Sequence, residues 1–323
     1  NMKKIENISL KKEINRKKNI IFLLKSKKKS LPTQYLYDDV GSKLFEKICE
    51  TEEYYLTRTE YKILNSNSFD IIKASSAEEL FEFGSGSSKK TKTLILSALK
   101  KNKYLTYFSF DISSEALYMS YDELSKISEN LNVRLLKGNF NLDISRIEAS
   151  KKKRLYLFLG STLGNFNNKV AINFLQNISN LMNKEDSFLL GVDKVKDEKI
   201  INLAYNDKRG ITKKFNKNIL NVINKEYKLN FNKNNFLHNT IYNSEKSQIE
   251  MYLKSTALQS IKLPNNENLN IKKGEKILTE ISRKFSEETL ERLFAKSNLK
   301  VIESYTDEKK YYSLYLLKIK KYL

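Results

Sequence analysis

The central part of the chain alternates between short apolar runs and amphipathic segments. Apolar residues recur at helical spacing in residues 91–101, 114–130 and 169–182. The runs around them are mostly apolar, as is typical of strands buried on both faces of a sheet, and comprise residues 79–83, 104–110, 132–136, 155–159 and 187–192. Strands that alternate with helices in this order predict a doubly wound α/β fold with a parallel sheet.

The alternation is interrupted on both sides of this central part. Two helical segments precede the first strand, residues 39–50 and a stretch from Thr57, where Thr57 and Glu60 have the spacing of a capping box. After the fifth strand, a polar helical stretch is followed by strand-like pieces such as residues 248–254. The earlier pattern then resumes with a helix and two strands at residues 286–296, 300–303 and 311–319. We therefore predict a sheet domain with an insert and an N-terminal helical part, divided as residues 1–60, 61–195, 196–284 and 285–323.

Length and composition limit the class of protein. With 323 residues and 40% hydrophobic content, the chain can bury a full core. The single cysteine, Cys49, excludes an intrachain disulfide and a thiolate metal cluster, and it fits a reducing compartment. The longest apolar run near the basic N-terminus, residues 20–24, is too short for a secretory signal or a membrane span. We expect a cytoplasmic protein without a membrane partner, and since no cluster has metal-ligand spacing we expect no metal.

The formal net charge of +21 would suit a partner rich in phosphate, such as a nucleic acid. The lysines, however, are spread through the chain in short runs such as residues 27–29 and 151–153, rather than being interleaved with aromatic residues on one evident face. This distribution favours a lysine-rich composition over a nucleic-acid surface, so we expect no nucleic-acid partner. The one histidine, His238, lies in the insert, where a structural role is a simpler explanation than a catalytic base.

A glycine turn links the first predicted strand to the following helix. It reads EFGSGSSKKT from Glu82 to Thr91, and its glycines at positions 84 and 86 permit unusual dihedral angles and a close approach of backbone to ligand. A dinucleotide-binding fingerprint would need a third glycine where this chain has Lys89. The pattern acid-x-Gly-x-Gly instead resembles the loop that binds S-adenosylmethionine (SAM) in class I methyltransferases.

Asp111 follows the second predicted strand, at the carboxyl edge of the sheet, where a carboxylate can accept hydrogen bonds from both hydroxyls of a ribose. Taken alone, Gly84 and Gly86 are also typical of an ordinary turn, and Asp111 of a helix cap. Their order on one βαβ unit favours a cofactor that carries a ribose.

Longer segments of the chain resemble a known family. Residues 31–45 read LPTQYLYDDVGSKLF and residues 53–60 read EYYLTRTE. Both are similar to the N-terminal signature of the histidine Nα-methyltransferases of ergothioneine biosynthesis. Further matches follow in order as LGSTLGNF (159–166), GVDKVKD (191–197), AYND (204–207), GIT (210–212) and TEISRKF (279–285). The resemblance covers nearly everything from Leu31 to the C-terminus.

The resemblance implies a Rossmann-like class I SAM methyltransferase and a second, substrate-binding domain built from the N-terminal helices and the insert. By matched position and loop motif, the cofactor contacts are Gly84, Ser85, Gly86, Lys90, Asp111, Asn139 and Phe140. One position departs from the family, which usually has aspartate where this chain has Asn139. Asparagine keeps a carbonyl acceptor for the adenine amino group but loses the charge-assisted part of that bond, so we expect some loss of cofactor affinity.

For the acceptor, the resemblance implies methyl transfer to the α-amino nitrogen of L-histidine, up to trimethylhistidine. The matched substrate positions are Tyr37, Phe45, Tyr54, Gly160, Asn165, Tyr205, Met251, Glu280 and Ser282. Asn165 and Tyr205 can donate hydrogen bonds to a carboxylate, and the pair at 280 and 282 can hold the two imidazole nitrogens. Tyr37 would lie near the amine as the catalytic residue, and aromatic faces nearby tolerate a quaternary ammonium group.

Other functions stay open at this point. Within the family, some fungal relatives act on a prenylated tryptophan, and Glu280 and Ser282 argue against an indole, but another amino acid or small amine is an alternative acceptor. A nucleic-acid methyltransferase is a rival of a different class, although the only prolines, Pro32 and Pro264, exclude an Asn/Asp-Pro-Pro-aromatic motif. A basic nucleic-acid-binding protein would not need the substrate positions at all. We expect a monomer whose partner is a small amino acid.

Overall fold

The computed structural model describes residues 4–9 and 13–320. These residues divide into two compact units. Unit 1 holds residues 4–9, 56–196 and 284–320, and unit 2 holds residues 13–55 and 197–283.

Unit 1 is built on a large mixed sheet, in which the described residues form eight strands. The strands are β1 (Ile5–Asn7), β2 (Glu79–Phe83), β3 (Leu105–Asp111), β4 (Leu131–Lys137), β5 (Arg154–Phe158), β6 (Ser187–Asp193), β12 (Leu299–Thr306) and β13 (Tyr312–Ile319). Their order in the sheet is β1-β4-β3-β2-β5-β6-β13-β12. Neighbours from β1 to β6 in this order pair in parallel, and β13 and β12 close one edge as an antiparallel hairpin. This confirms the predicted doubly wound α/β fold.

Three helices of unit 1 begin where the sequence provides a capping side chain. Ser113, Asn167 and Ser286 each accept a hydrogen bond from a backbone N–H three residues ahead, which satisfies a donor that the helix leaves unpaired. The helices are α3 (Tyr55–Ser75), α4 (Lys92–Lys101), α5 (Ser114–Leu124), α6 (Asn168–Leu181) and α9 (Glu287–Lys296).

The core of unit 1 is rich in phenylalanine. Phe81, Phe83, Phe110 and Phe158 come from adjacent strands, and Phe174 of α6 packs on Phe158 with ring centroids 4.4 Å apart. Strands β2, β5 and β6 are buried along their whole length, which explains why they read as apolar runs in the sequence.

Unit 2 combines helices from both of its chain segments with antiparallel strands. Its helices are α1 (Glu13–Lys25), α2 (Asp39–Cys49), α7 (Glu198–Ala204) and α8 (Ile211–Tyr227), and α2 packs on α8. A three-stranded sheet has the order β11-β8-β7, and a separate hairpin pairs β9 with β10. These strands are β7 (Phe236–Asn243), β8 (Gln248–Ser255), β9 (Gln259–Lys262), β10 (Asn268–Ile271) and β11 (Lys276–Arg283).

The structure differs from the predicted divisions near the N-terminus. Residues 5–7 form β1, which pairs with residues 135–137 of β4, so this part of residues 1–60 belongs to the large sheet rather than to the second unit. Helix α3 also runs through the predicted division at residue 60. A three-residue edge strand is too short to leave a periodic pattern in the sequence, which is why the prediction missed it.

Candidate active site

The glycine turn after β2 requires its glycines. Gly84 and Gly86 have φ angles of +65° and +53°, in the left-handed region that other residues rarely adopt. A Cβ atom on Gly84 would lie 3.4 Å from the ring of Phe140, whereas a Cβ on Gly86 would meet no heavy atom within 4 Å. The turn is therefore packed on one side and faces open space on the other.

Asp111 fastens this turn to the neighbouring strand. Its two carboxylate oxygens accept hydrogen bonds from the backbone N–H of Gly86 and of Ser113, both at 3.0 Å. Ser85 is joined to Ser109 by a hydroxyl–hydroxyl bond of 2.7 Å. Burial raises the pKa of Asp111, and the two backbone donors oppose that shift. The predicted cofactor residues after β2 and β3 thus lie at one edge of the sheet.

The residues after β4 join the same edge. Phe140 packs against Gly84 and forms an edge-to-face pair with Phe158, with centroids 5.4 Å apart. The side-chain oxygen of Asn139 accepts a hydrogen bond of 2.9 Å from the N–H of Asn141, so this acceptor already holds its own turn. An adenine amino group would use the second lone pair of that oxygen.

Glu82 is the acid of the acid-x-Gly-x-Gly pattern, and its side chain turns into the protein. It accepts hydrogen bonds from the hydroxyls of Tyr107 and Thr91, the latter at 2.7 Å. Burial raises the pKa of Glu82 to about 7, against the lowering effect of these donors and of Lys90. Glu82 therefore joins β2, β3 and the start of α4 beneath the glycine turn.

A second loop, after β5, meets the helix α3. The backbone N–H of Gly160 donates to the carboxylate of Glu60, at 2.8 and 3.1 Å from its two oxygens. The same carboxylate accepts a 2.6 Å hydrogen bond from the hydroxyl of Tyr312 and forms an ion pair with Lys90. The capping-box interpretation of Glu60 is wrong, because α3 begins at Tyr55 and Glu60 lies on its buried face.

In unit 2, seven of the predicted substrate residues lie close together. Two hydrogen bonds join a tyrosine hydroxyl to β11, from Tyr37 to Glu280 at 3.2 Å and from Tyr205 to Ser282 at 2.7 Å. Aromatic rings link these pairs edge to face, with centroids 5.5–6.0 Å apart, through Tyr37, Phe45, Tyr54 and Tyr205. Met251 is the partner of Glu280 in the β8–β11 register. The two remaining predicted substrate residues, Gly160 and Asn165, lie in unit 1.

A polar network that was not predicted from the sequence lies beneath this cluster. Asn216 donates to the Nδ1 atom of His238 at 2.9 Å and accepts from the hydroxyl of Thr279, the neighbour of Glu280, at 2.6 Å. The Nε2 atom of His238 lies 3.0 Å from the backbone oxygen of Tyr205 and therefore carries the hydrogen. Burial lowers the pKa of His238, which favours this neutral form. His238 thus supports the backbone of Tyr205.

Within residues 4–9 and 13–320, no group of three or more His, Cys, Asp or Glu side chains could hold a metal ion. No helix in the same ranges is long and apolar enough to cross a membrane.

The chain is similar to a family of known proteins and to individual members of it. A family model described as histidine-specific, SAM-dependent methyltransferase matches residues 16–319. The histidine N-alpha-methyltransferase of Mycobacterium tuberculosis is 34% identical over 281 residues, which are 87% of this chain and 87% of the relative. The enzyme of the same name from Mycolicibacterium smegmatis is 35% identical over 281 residues, 86% of this chain and 87% of the relative. A solved SAM-dependent methyltransferase from Clostridium acetobutylicum aligns at 12% identity with a TM-score of 0.46, over 81% of this chain and 92% of that one.

Proposed function

Because the chain belongs to the family of histidine-specific methyltransferases that depend on SAM, we propose that it methylates the α-amino nitrogen of L-histidine, up to the trimethylated product. The observation that carries the choice of histidine is the pair Glu280 and Ser282. They stand two residues apart on one face of β11, and each is bonded to a tyrosine hydroxyl. An imidazole offers an N–H and an acceptor nitrogen to such a pair, whereas an indole offers only an N–H.

We assign cofactor binding to the edge of the sheet in unit 1, with residues 84–86, Lys90, Asp111, Asn139 and Phe140. The open space beside Gly86 lets a ligand approach the backbone, and the Asp111 carboxylate stands next to it for the ribose hydroxyls. Phe140 provides an apolar face at the same edge. These groups fit a nucleoside cofactor, and SAM supplies a methyl group on a sulfonium as the electrophile.

Methyl transfer requires an amine with a lone pair in line with the methyl–sulfur bond, so the substrate ammonium must first lose a proton. The Tyr37 hydroxyl donates its hydrogen to Glu280, and its oxygen can therefore accept one from the substrate amine. We assign Tyr37 the role of orienting the amine, with water taking the proton. The faces of Phe45 and Tyr54 stabilise the positive charge that is permanent after the third transfer.

We further propose that the enzyme acts in the cytoplasm as a monomer on a free amino acid, without a nucleic-acid partner. A single cysteine in 323 residues suits a reducing compartment. The seven clustered residues of unit 2 come from one chain, which supports an acceptor site that needs no second copy.

The test is mass spectrometry of the products after incubation with SAM and a panel of amino acids that includes histidine, tryptophan and Nα-acetylhistidine. Histidine should gain one, two and three methyl groups, whereas Nα-acetylhistidine should gain none because its α-nitrogen is blocked. Methylation of another amine without any methylation of histidine would refute the choice of substrate. Methylation of Nα-acetylhistidine would place the reaction on the ring instead.

The variant Glu280→Gln tests the choice of histidine through the proposed contact of Glu280 with the imidazole. Loss of the carboxylate should raise the KM for histidine by at least about tenfold, since a neutral amide holds an imidazole N–H less strongly. Glu245→Gln, an identical change at an exposed residue in the turn between β7 and β8, is the matched control. Equal KM values in the two variants would count against the proposed imidazole contact.

A further inference from the structure

Glu60 is a fully buried acid whose partners all belong to the edge of the sheet. Its side chain has no exposed surface, and it receives the Gly160 N–H, the Tyr312 hydroxyl and the Lys90 ammonium. A carboxylate in such a place is stable only when its charge is compensated, and removing one partner of a buried pair typically costs several kcal/mol. The local packing is close, because a Cβ on Gly191 would lie 2.3 Å from a carboxylate oxygen of Glu60.

The position of these partners in the sheet gives Glu60 its significance. Strand β2 has β3 on one side and β5 on the other, so the chain order reverses between β2 and β5. In open α/β sheets a ligand binds in the crevice outside the carboxyl ends of the strands at such a reversal. Lys90 belongs to the loop after β2, and Gly160 to the loop after β5. Glu60 therefore joins the two walls of this crevice.

The ion pair is exposed on one side only. The Lys90 side chain keeps 23% of its surface exposed, whereas that of Glu60 keeps none. The Lys90 ammonium lies 3.6 Å from the position of a Cβ on Gly160, so both stand at the mouth of the crevice. An ammonium that is held from behind by a buried carboxylate is fixed in place and can receive an anionic group on its exposed side.

We propose that Glu60 is a positioning residue of the methyltransferase: it holds the Lys90 ammonium and the Gly160 loop together as the receptor for the α-carboxylate end of SAM. This inference rests on the cofactor site proposed above. It adds a role for Glu60, a residue of helix α3 that does not touch the cofactor. Through Lys90, Glu60 determines the affinity for the amino-acid part of the cofactor.

The test is a double-variant cycle of Glu60→Gln, Lys90→Met and the two combined, with the dissociation constants of SAM and S-adenosylhomocysteine measured by calorimetry. Glu60→Gln alone should weaken SAM binding by at least about tenfold, because the amide no longer holds the ammonium in place. In the Lys90→Met background the same change should weaken binding less than about threefold, because coupled residues are not additive.

Asp70→Asn is the matched control, since it also converts a carboxylate to an amide on α3, but at an exposed position. Two results would overturn the proposal: SAM affinity in Glu60→Gln equal to that of the control, or the same loss with and without Lys90. The second result is what a purely structural role would give. The readout needs no acceptor, so a protein that binds SAM but does not methylate histidine would refute the choice of substrate and leave this test valid.

If Glu60→Gln does not fold, the variants Gly191→Ala and Glu60→Asp test the positioning role of Glu60. The first keeps both charges but pushes the carboxylate aside with a methyl group on β6, and the second keeps the charge but shortens its reach. Both variants should bind SAM severalfold more weakly, and both should still show a cooperative thermal unfolding transition. If both bind SAM as tightly as the wild type, Glu60 does not position the receptor.

Discussion

Tyr37 and Glu280 lie 243 positions apart in the sequence, and one hydrogen bond of 3.2 Å joins them. The bond fixes the direction of the Tyr37 hydroxyl, so that its oxygen rather than its hydrogen is presented on the other side. Tyr37 is also packed edge to face on Phe45 and Phe215. The orientation of the Tyr37 hydroxyl therefore depends on Glu280, the residue that we assign to binding the side chain of the substrate.

Tyr37→Phe tests the assigned orientation of the amine. The variant keeps the ring packing and loses only the hydroxyl, so kcat should fall by at least about tenfold while the KM for histidine changes less than about threefold. Tyr35→Phe is the matched control, because the Tyr35 hydroxyl is bonded to Tyr227 and not to β11. Steady-state kinetics with a saturating cofactor measures both constants. An unchanged kcat with intact histidine binding would exclude a role for the Tyr37 hydroxyl.

At the scale of elements, the glycine turn is held by a buried acid rather than by its glycines alone. Glu82 bonds to Tyr107 of β3 and to Thr91 at the start of α4, and its pKa is about 7. An unfolded chain would release that proton near pH 4.5. The folded protein therefore keeps a proton that the unfolded chain has lost between these values, and the contribution of Glu82 to stability is present below pH 4.5 and lost as pH rises through 7.

Glu82→Gln should remove this dependence. The amide oxygen can still accept from Tyr107 and Thr91, but it does not titrate. The free energy of unfolding of the wild type, relative to the variant, should therefore fall by up to about 3 kcal/mol between pH 4.5 and 8. Urea denaturation across this range measures the difference, with Glu129→Gln at an exposed position as the control for loss of a glutamate. A difference that is independent of pH would show that Glu82 is already ionised in the folded protein.

Helices and strands could be predicted from the sequence where the hydrophobic pattern lies within the element itself. Strand β2 was predicted with its observed bounds, because its five residues lie in a fully buried parallel strand. Helix α5 was predicted to reach residue 130 but ends at Leu124, since the weak apolar spacing continues through a turn. Glu60 was misread because capping-box spacing is a local pattern, whereas its partners Gly160 and Tyr312 are 100 and 252 positions away. Long-range hydrogen bonds of this kind depend on the topology of the fold, and no local sequence pattern predicts them.

At the scale of the whole molecule, the charge of +21 has a physical cost even without an anionic partner. In unit 2, a cleft of about 420 Å³ brings four lysines together, because its lining includes Lys213, Lys214, Lys217 and Lys233. Burial and the charges of Lys213 and Lys233 lower the pKa of Lys217. The folded state brings like charges closer together than the unfolded chain does, so their repulsion opposes folding.

Salt should therefore stabilise this protein. Raising sodium chloride from about 10 mM to about 100 mM shortens the screening length from about 30 Å to about 10 Å, and the melting temperature should rise as the repulsion weakens. The KM for histidine should change less than about twofold, because the amino acid carries no net charge at neutral pH. A melting temperature that is flat in salt would mean that neighbouring carboxylates already neutralise the lysines. A larger rise on addition of duplex DNA at 100 mM salt would instead mean that the lysines form a nucleic-acid surface, contrary to the proposed function.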